Sequence, residues 1–246
     1  MNSSSLGSSL FRAFGMMAVA LVASSSTTAQ AEESSWAFLG FSQDGAFAAV
    51  EIFGMHADRE SPWSTIRIID TRANQFAGPP VTTCVGQGCG VVKVQDPSLK
   101  DVRGWNRDRA REILAQYHID ATIQGQRNSL ATKERGVDPG GLSREAIRFQ
   151  WLGADCTLVL QEVPAPNGKD GSGRQRMIDL RLQRPGSELV LQKDTHVPLS
   201  RGKGVQSYGM DSMITYGNTI LVVVRYAQLG PKGGDVSQLF ISAGAL

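Results

Sequence analysis

The sequence predicts a mainly β fold, an antiparallel, meander-rich domain with one packed α-helix, and three observations predict it. One local plan recurs: a short apolar strand, a tight turn, a longer apolar strand, a polar glycine-containing loop and a third strand. The turns of the first and last repeats carry Asp44-Gly45 and Gly217-Asn218 between apolar runs, pairs that accept the positive φ of tight hairpins. Only the stretch between the first and second repeats, at Ala110, Ile113, Leu114 and Tyr117, sets apolar residues at helical spacing.

The first repeat runs from Trp36 to Ser42, turns at Gln43-Asp44-Gly45, continues through Phe47 to Phe53, and crosses a loop from Gly54 to Ser64 to reach Thr65–Asp70. In that third strand Ile66, Arg67 and Ile68 alternate as a half-buried strand does. The second repeat takes Ile147–Leu152, a turn at Gly153-Ala154-Asp155, Thr157–Val163, a loop from Pro164 to Gly173, and Arg176–Leu182, with Leu189–Gln192 as an added strand. The third pairs Asp211–Tyr216 with Thr219–Tyr226 and crosses Gly230–Asp235 to Gln238–Ser242. The helix is predicted over Asn106–Tyr117, with Asn106 as its N-cap and Arg103, Arg107, Arg109 and Arg111 on a solvated face. The polar stretch 125–144, with Asp138-Pro139-Gly140-Gly141, reads as a loop.

Residues 1–31 read as a secretory leader. Arg12 supplies the positive flank, Ala13–Ala23 is a short apolar run, and Ala29-Gln30-Ala31 fits the small-x-small cleavage pattern. Cleavage after Ala31 leaves residues 32–246 as one β-rich domain, periplasmic or secreted, with no transmembrane anchor because the apolar run is about half the ~20 residues a span needs. Charge is nearly balanced, 25 Lys plus Arg against 23 Asp plus Glu, which argues against nucleic acid as a partner. Cys84 and Cys89 bracket a short glycine-containing loop and are the expected disulfide of an oxidising compartment. Cys156 lies in a strand-like apolar run and reads as a buried thiol.

The segments Phe38-Leu39-Gly40-Phe41-Ser42-Gln43-Asp44-Gly45, Ala48–Gly54 with Glu51, and Ile66–Thr71 resemble a bacterial family of predicted secreted proteins of unknown function. The resemblance implies export and a shared fold, and brings no activity. The sequence departs from the family pattern at Ala57–Trp63 and at Gly230–Asp235. Phe41-Ser42-Gln43-Asp44-Gly45 also resembles the strand ends of periplasmic propeller blades, so a small or partial β-propeller-like fold is the alternative.

The residues point to no catalytic site. His56, His118 and His196 match no zinc-protease spacing, so no metal is expected, and neither a nucleophile elbow nor a dinucleotide or phosphate loop is present, so no cofactor is expected either. If the three repeats are equivalent, their second loops share one end of the fold. That places His56, Asp58, Arg59, Trp63, Lys169, Asp170, Lys232 and Asp235 on a candidate contact surface. Trp63 is its expected anchor, the other reading being a core tryptophan. The leading expectation is a non-catalytic module that binds a protein or other component of the cell envelope. The alternatives are an envelope hydrolase with a site assembled from remote residues, and a structural subunit that pairs through its strand edges.

Overall fold

The computed structural model describes residues 34–56, 61–85, 96–165, 176–196, 205–229 and 235–246. The leader, Asp58, Arg59, Cys89, Lys169, Asp170 and Lys232 lie outside them, as does the side chain of Asp235. The described chain is mainly strand, arranged as three antiparallel sheets and one helix.

The first sheet contains β1 (Ser34–Ser42), β2 (Phe47–His56), β3 (Ser61–Asp70), β4 (Gln75–Phe76), β5 (Val81–Cys84) and, after helix α1 (Leu99–Gln116), β6 (Ile119–Asp120). Its order is β4-β3-β2-β1-β6, with β5 also on β3. The Asp-Gly turn forms as predicted: Gly45 takes φ +70°, and Asp44 Oδ1 accepts from Ala46 N at 3.1 Å and Ser42 Oγ at 2.8 Å. A bulge in β1 falls between Phe38 and Gly40, and at Gly40 an added Cβ would lie 2.2 Å from the Asp120 carbonyl oxygen of β6, so only glycine fits.

After β7 (Gln126–Asn128), the second sheet takes β8 (Glu134–Val137), β9 (Ser143–Trp151), β10 (Ala154–Pro164), β11 (Arg176–Arg184) and β12 (Ser187–Lys193) in the order β12-β11-β10-β9-β8. The third takes β13 (Val205–Tyr216), β14 (Thr219–Leu229) and β15 (Asp235–Ala245) in the order β15-β14-β13-β7. The predicted loop 125–144 therefore contains β7, β8 and the start of β9. Strands of three and four residues, polar except for Gly136 and Val137, carry no alternation and become visible only through pairing with β13 and β9.

The third sheet lies between the other two, and β14 shows why. Ile220, Val222, Val224 and Tyr226 pack with Leu158, Leu160, Ile178, Leu180 and Leu182 of the second sheet. Leu221 and Val223 point the other way, against Phe41, Ala48, Val50 and Ile69 of the first. A strand buried on both faces reads as a continuous apolar run, here Ile220–Val224, in place of the usual alternation. Each such side chain contributes roughly 1.5–3 kcal/mol by burial. Because the sheet last in sequence is the middle layer, the layers do not follow chain order as successive propeller blades do.

Asn74, at φ +50° in the turn before β4, ties the three sheets together. Its Nδ2 donates to Leu191 O of β12 and to Ser242 Oγ of β15, and its Oδ1 accepts from Ala243 N at 2.7 Å.

Helix α1 covers the outer face of the first sheet and begins seven residues before the predicted start. Ser98 is the N-cap, in a reciprocal box with Asp101: Asp101 N donates to Ser98 Oγ at 3.2 Å and Ser98 N to Asp101 Oδ2 at 3.0 Å. Asn106 is fully buried in mid-helix, with Val102 and Ala110 on the same face. The apolar period fails in the first half because polar residues occupy the buried stripe.

Candidate functional site

The strand β3 alternates between two environments. Ser64 lies on its helix side, where its Oγ donates to Glu51 Oε1 at 2.9 Å. Trp63, Thr65 and Arg67 line a cleft of about 300 Å³ on the opposite side, together with His56 and Ile52 of β2 and Ser34 of β1. The far wall is Tyr226, Gln238 and Leu239 of the third sheet, with Tyr226 Oη donating to Gln238 Oε1 at 2.7 Å. The His56 and Trp63 rings lie 5.9 Å apart across the mouth of the β2–β3 hairpin.

Two electrostatic features distinguish this end. The Arg67 guanidinium stacks 4.3 Å from the Phe76 ring centre, burial lowers its pKa, and no carboxylate among the described residues pairs with it. Ser61 Oγ, Trp63 Nε1 and Gln228 Oε1 are buried without a hydrogen-bond partner among the described residues, and all three belong to the ends of β3 and β14 that flank segments 57–60 and 230–234. Buried polar groups are normally paired, so three orphans at one end call for an explanation.

Elsewhere the buried carboxylates are consumed by structure. Glu51 accepts a two-pronged contact from Arg103, at 3.1 and 3.0 Å, and two further N–H groups from Arg107, at 3.0 and 2.6 Å. Arg109 Nη1 reaches Thr82 O at 2.8 Å and Thr83 Oγ1 at 3.0 Å. The expected solvated arginine face is thus corrected: of the four, only Arg111 pairs solely within the exposed helix surface, with Asp108. Glu162 and Glu145 accept from Tyr208 N and Met210 N of β13, at 2.8 and 2.6 Å, covering main-chain groups that β7 is too short to reach. Cys156 is a buried free thiol, and burial pushes its pKa up. Among the described residues no three His, Cys, Asp or Glu side chains converge as metal ligands do, and no helix is long and apolar enough to cross a membrane.

Of the sequence-derived contact residues, the structure brings His56 and Trp63 together in the cleft. Asp235 opens β15, and Asp58, Arg59, Lys169, Asp170 and Lys232 lie outside the described residues. Cys84 ends β5 directly opposite Trp63 in the ladder, and its expected partner Cys89 lies outside. Sequence reasoning missed Arg67, Tyr226 and Gln238. Arg67 looked like the solvent-facing member of an alternating strand, and nothing local says that a second sheet covers that face.

The family described as predicted secreted protein (DUF2259) matches residues 49–243, from β2 almost to the end of β15. The chain belongs to the DUF2259 family. The match takes in the β3 side of the cleft and its third-sheet wall, whereas the Phe38–Gly45 hairpin precedes it. No curated protein and no solved structure matches the chain. Membership in DUF2259 places this chain in a family of predicted secreted proteins, and the family description carries no activity.

Proposed function

We propose that this DUF2259 protein is a non-catalytic binding domain of the cell envelope that engages a protein or other envelope component through the end bearing the β2–β3 and β14–β15 connections. In this reading the leader is cleaved after Ala31, residues 32–246 form one domain in the periplasm or the medium, and Cys84 is joined to Cys89. Asp58, Arg59, Lys169, Asp170, Lys232 and Asp235 extend the surface around His56 and Trp63. The observation that carries the proposal is the clustering of Ser61 Oγ, Trp63 Nε1 and Gln228 Oε1, buried and unpartnered, at that end. A fold that satisfies Glu51, Glu145 and Glu162 elsewhere leaves polar groups unmatched where a ligand supplies the match.

A photocrosslinking residue at position 56, expressed in the native envelope, tests this. A defined crosslinked species is expected, and it should vanish when Trp63→Ala and Arg59→Ala are combined in a chain that still folds. Absence of any crosslink, or one that ignores those changes, contradicts the proposed surface. Mass spectrometry of the mature chain should show Glu32 at the N-terminus and a mass about 2 Da below that of the reduced form, from the disulfide.

A further inference from the structure

β15 is an edge strand. It pairs with β14 along its whole length, and among the described residues no strand pairs with its other side. Antiparallel alternation sets which main-chain groups face outward, and two observed bonds fix the phase. Ser34 Oγ donates to Ser237 O at 3.0 Å, and Ala243 N donates to Asn74 Oδ1 at 2.7 Å. Residues 237, 239, 241 and 243 therefore direct their N–H and C=O groups away from β14. The two ends of this row are capped, and between them the outward groups of Leu239 and Ile241 have no hydrogen-bond partner among the described residues.

The cleft meets that edge at Gln238 and Leu239, and Ile241 continues the edge beyond the cleft lining. Gln238 and Leu239 are neighbours on β15 whose side chains point to opposite faces of the sheet, and both line the cleft. On the facing side Trp63 and Arg67 lie four residues apart on β3, a span of about 13 Å, room for roughly four residues of extended chain. The cleft thus presents Leu239 of the unpaired edge on one wall and a desolvated cation on the other, with Ile241 next along the edge.

We propose that this cleft binds an extended peptide segment, which adds to β15 as a further strand and sets an acidic side chain against Arg67. The proposal rests on the reading of this end as a binding surface and specifies its ligand. A carboxylate offers the planar guanidinium the two-pronged partner that no described residue supplies. Alternating peptide N–H and C=O groups match Leu239 and Ile241, which a small anion or a lipid headgroup cannot do. Side chains on one face of the added strand pack toward Trp63 and Ile52.

The test uses the full mature chain and a display library of random eight-residue peptides. Recovered binders should carry Asp or Glu at one fixed position. Glu→Gln there should weaken binding about tenfold or more, Arg67→Gln in the protein should weaken it equally, and the two changes together should cost no more than either alone. Methylating alternate peptide nitrogens should abolish binding, and amide exchange at Leu239 and Ile241 should slow at least tenfold in the complex. An empty selection, binders indifferent to Arg67→Gln, or displacement by millimolar acetate as effective as by peptide overturns strand addition. So does self-association of the chain that Ile241→Pro abolishes and peptide does not compete with. A crosslink from position 56 that persists alongside an empty selection removes strand addition and leaves the envelope-binding reading standing; loss of both removes both.

Discussion

The two faces of the first sheet treat buried polarity in opposite ways. On the helix side Glu51, Ser64, Thr83 and Asn106 are fully buried and all bonded. Asn106 Nδ2 donates to Ser64 Oγ at 3.0 Å and Val81 O at 3.1 Å, and its Oδ1 accepts from Thr83 Oγ1 at 2.9 Å. On the cleft side of the same strand, Trp63 Nε1 has no partner and Arg67 no counter-charge among the described residues. The helix side is a closed network, and its cost of desolvation is offset internally. The cleft side is left open. Burial alone therefore does not separate the two faces of this sheet, whereas burial without satisfaction does.

The sharpest way to break the comparison is to open the closed side. Glu51→Gln should destabilise the fold by about 3 kcal/mol, read as a lower urea midpoint at unchanged m, because two guanidinium groups lose their buried counter-charge. Binding at the cleft should survive under native conditions. Next is Asn74→Ala, which removes three hydrogen bonds spanning all three sheets and leaves Ala243 N unmet, while Leu191 O keeps only its bond from Ser242 Oγ at 3.1 Å. A loss of about 2 kcal/mol is expected, and a loss below about 0.5 kcal/mol contradicts the role given to it.

Acid sharpens the same contrast. Burial raises the pKa of Glu51, but hydrogen bonds from Arg103, Arg107 and Ser64 outweigh it and hold the carboxyl below its ordinary 4.5. The stabilisation is then fully present above pH 4.5 and lost as pH falls through the lower folded value. Urea midpoints taken downward from pH 5 should fall for the native chain and fall less steeply for Glu51→Gln. Parallel slopes dismiss the linkage. The smallest effect belongs to the open side. Trp63→Phe removes an unpartnered buried donor, so stability should stay level or rise by up to about 1 kcal/mol while capture of the envelope partner falls. A clear loss of stability makes Trp63 a core residue after all.

Much of the strand plan was legible because it rests on local chemistry. Asp44-Gly45 and Gly217-Asn218 specify their turns within four residues, and the apolar runs of β2, β10, β13 and β14 need no distant partner to declare themselves. The helix was legible only where its buried stripe is apolar, from Ala110 onward. Ahead of that, Arg103, Asn106 and Arg107 face Glu51 and Ser64, residues more than forty positions away in the chain, and the Ser98–Asp101 cap was the one local sign of the true start. β7 and β8 had no local sign at all, since their strand character comes from the neighbour they pair with. Of the candidate site, His56 and Trp63 were legible as the flanks of a loop. Arg67 was not, because a strand's alternation says which residues share a face and not what covers it.

By itself, then, the sequence determined the class of the chain: turn chemistry, apolar runs and a leader pattern act over a few residues, and those residues are adjacent. The tertiary structure alone decided that the third sheet is the middle layer, that Glu51 draws two arginines inward, and that β15 keeps a free edge beside Arg67. Each of these depends on which surfaces meet, and burial and pairing between distant segments set that, not the pattern along any one of them.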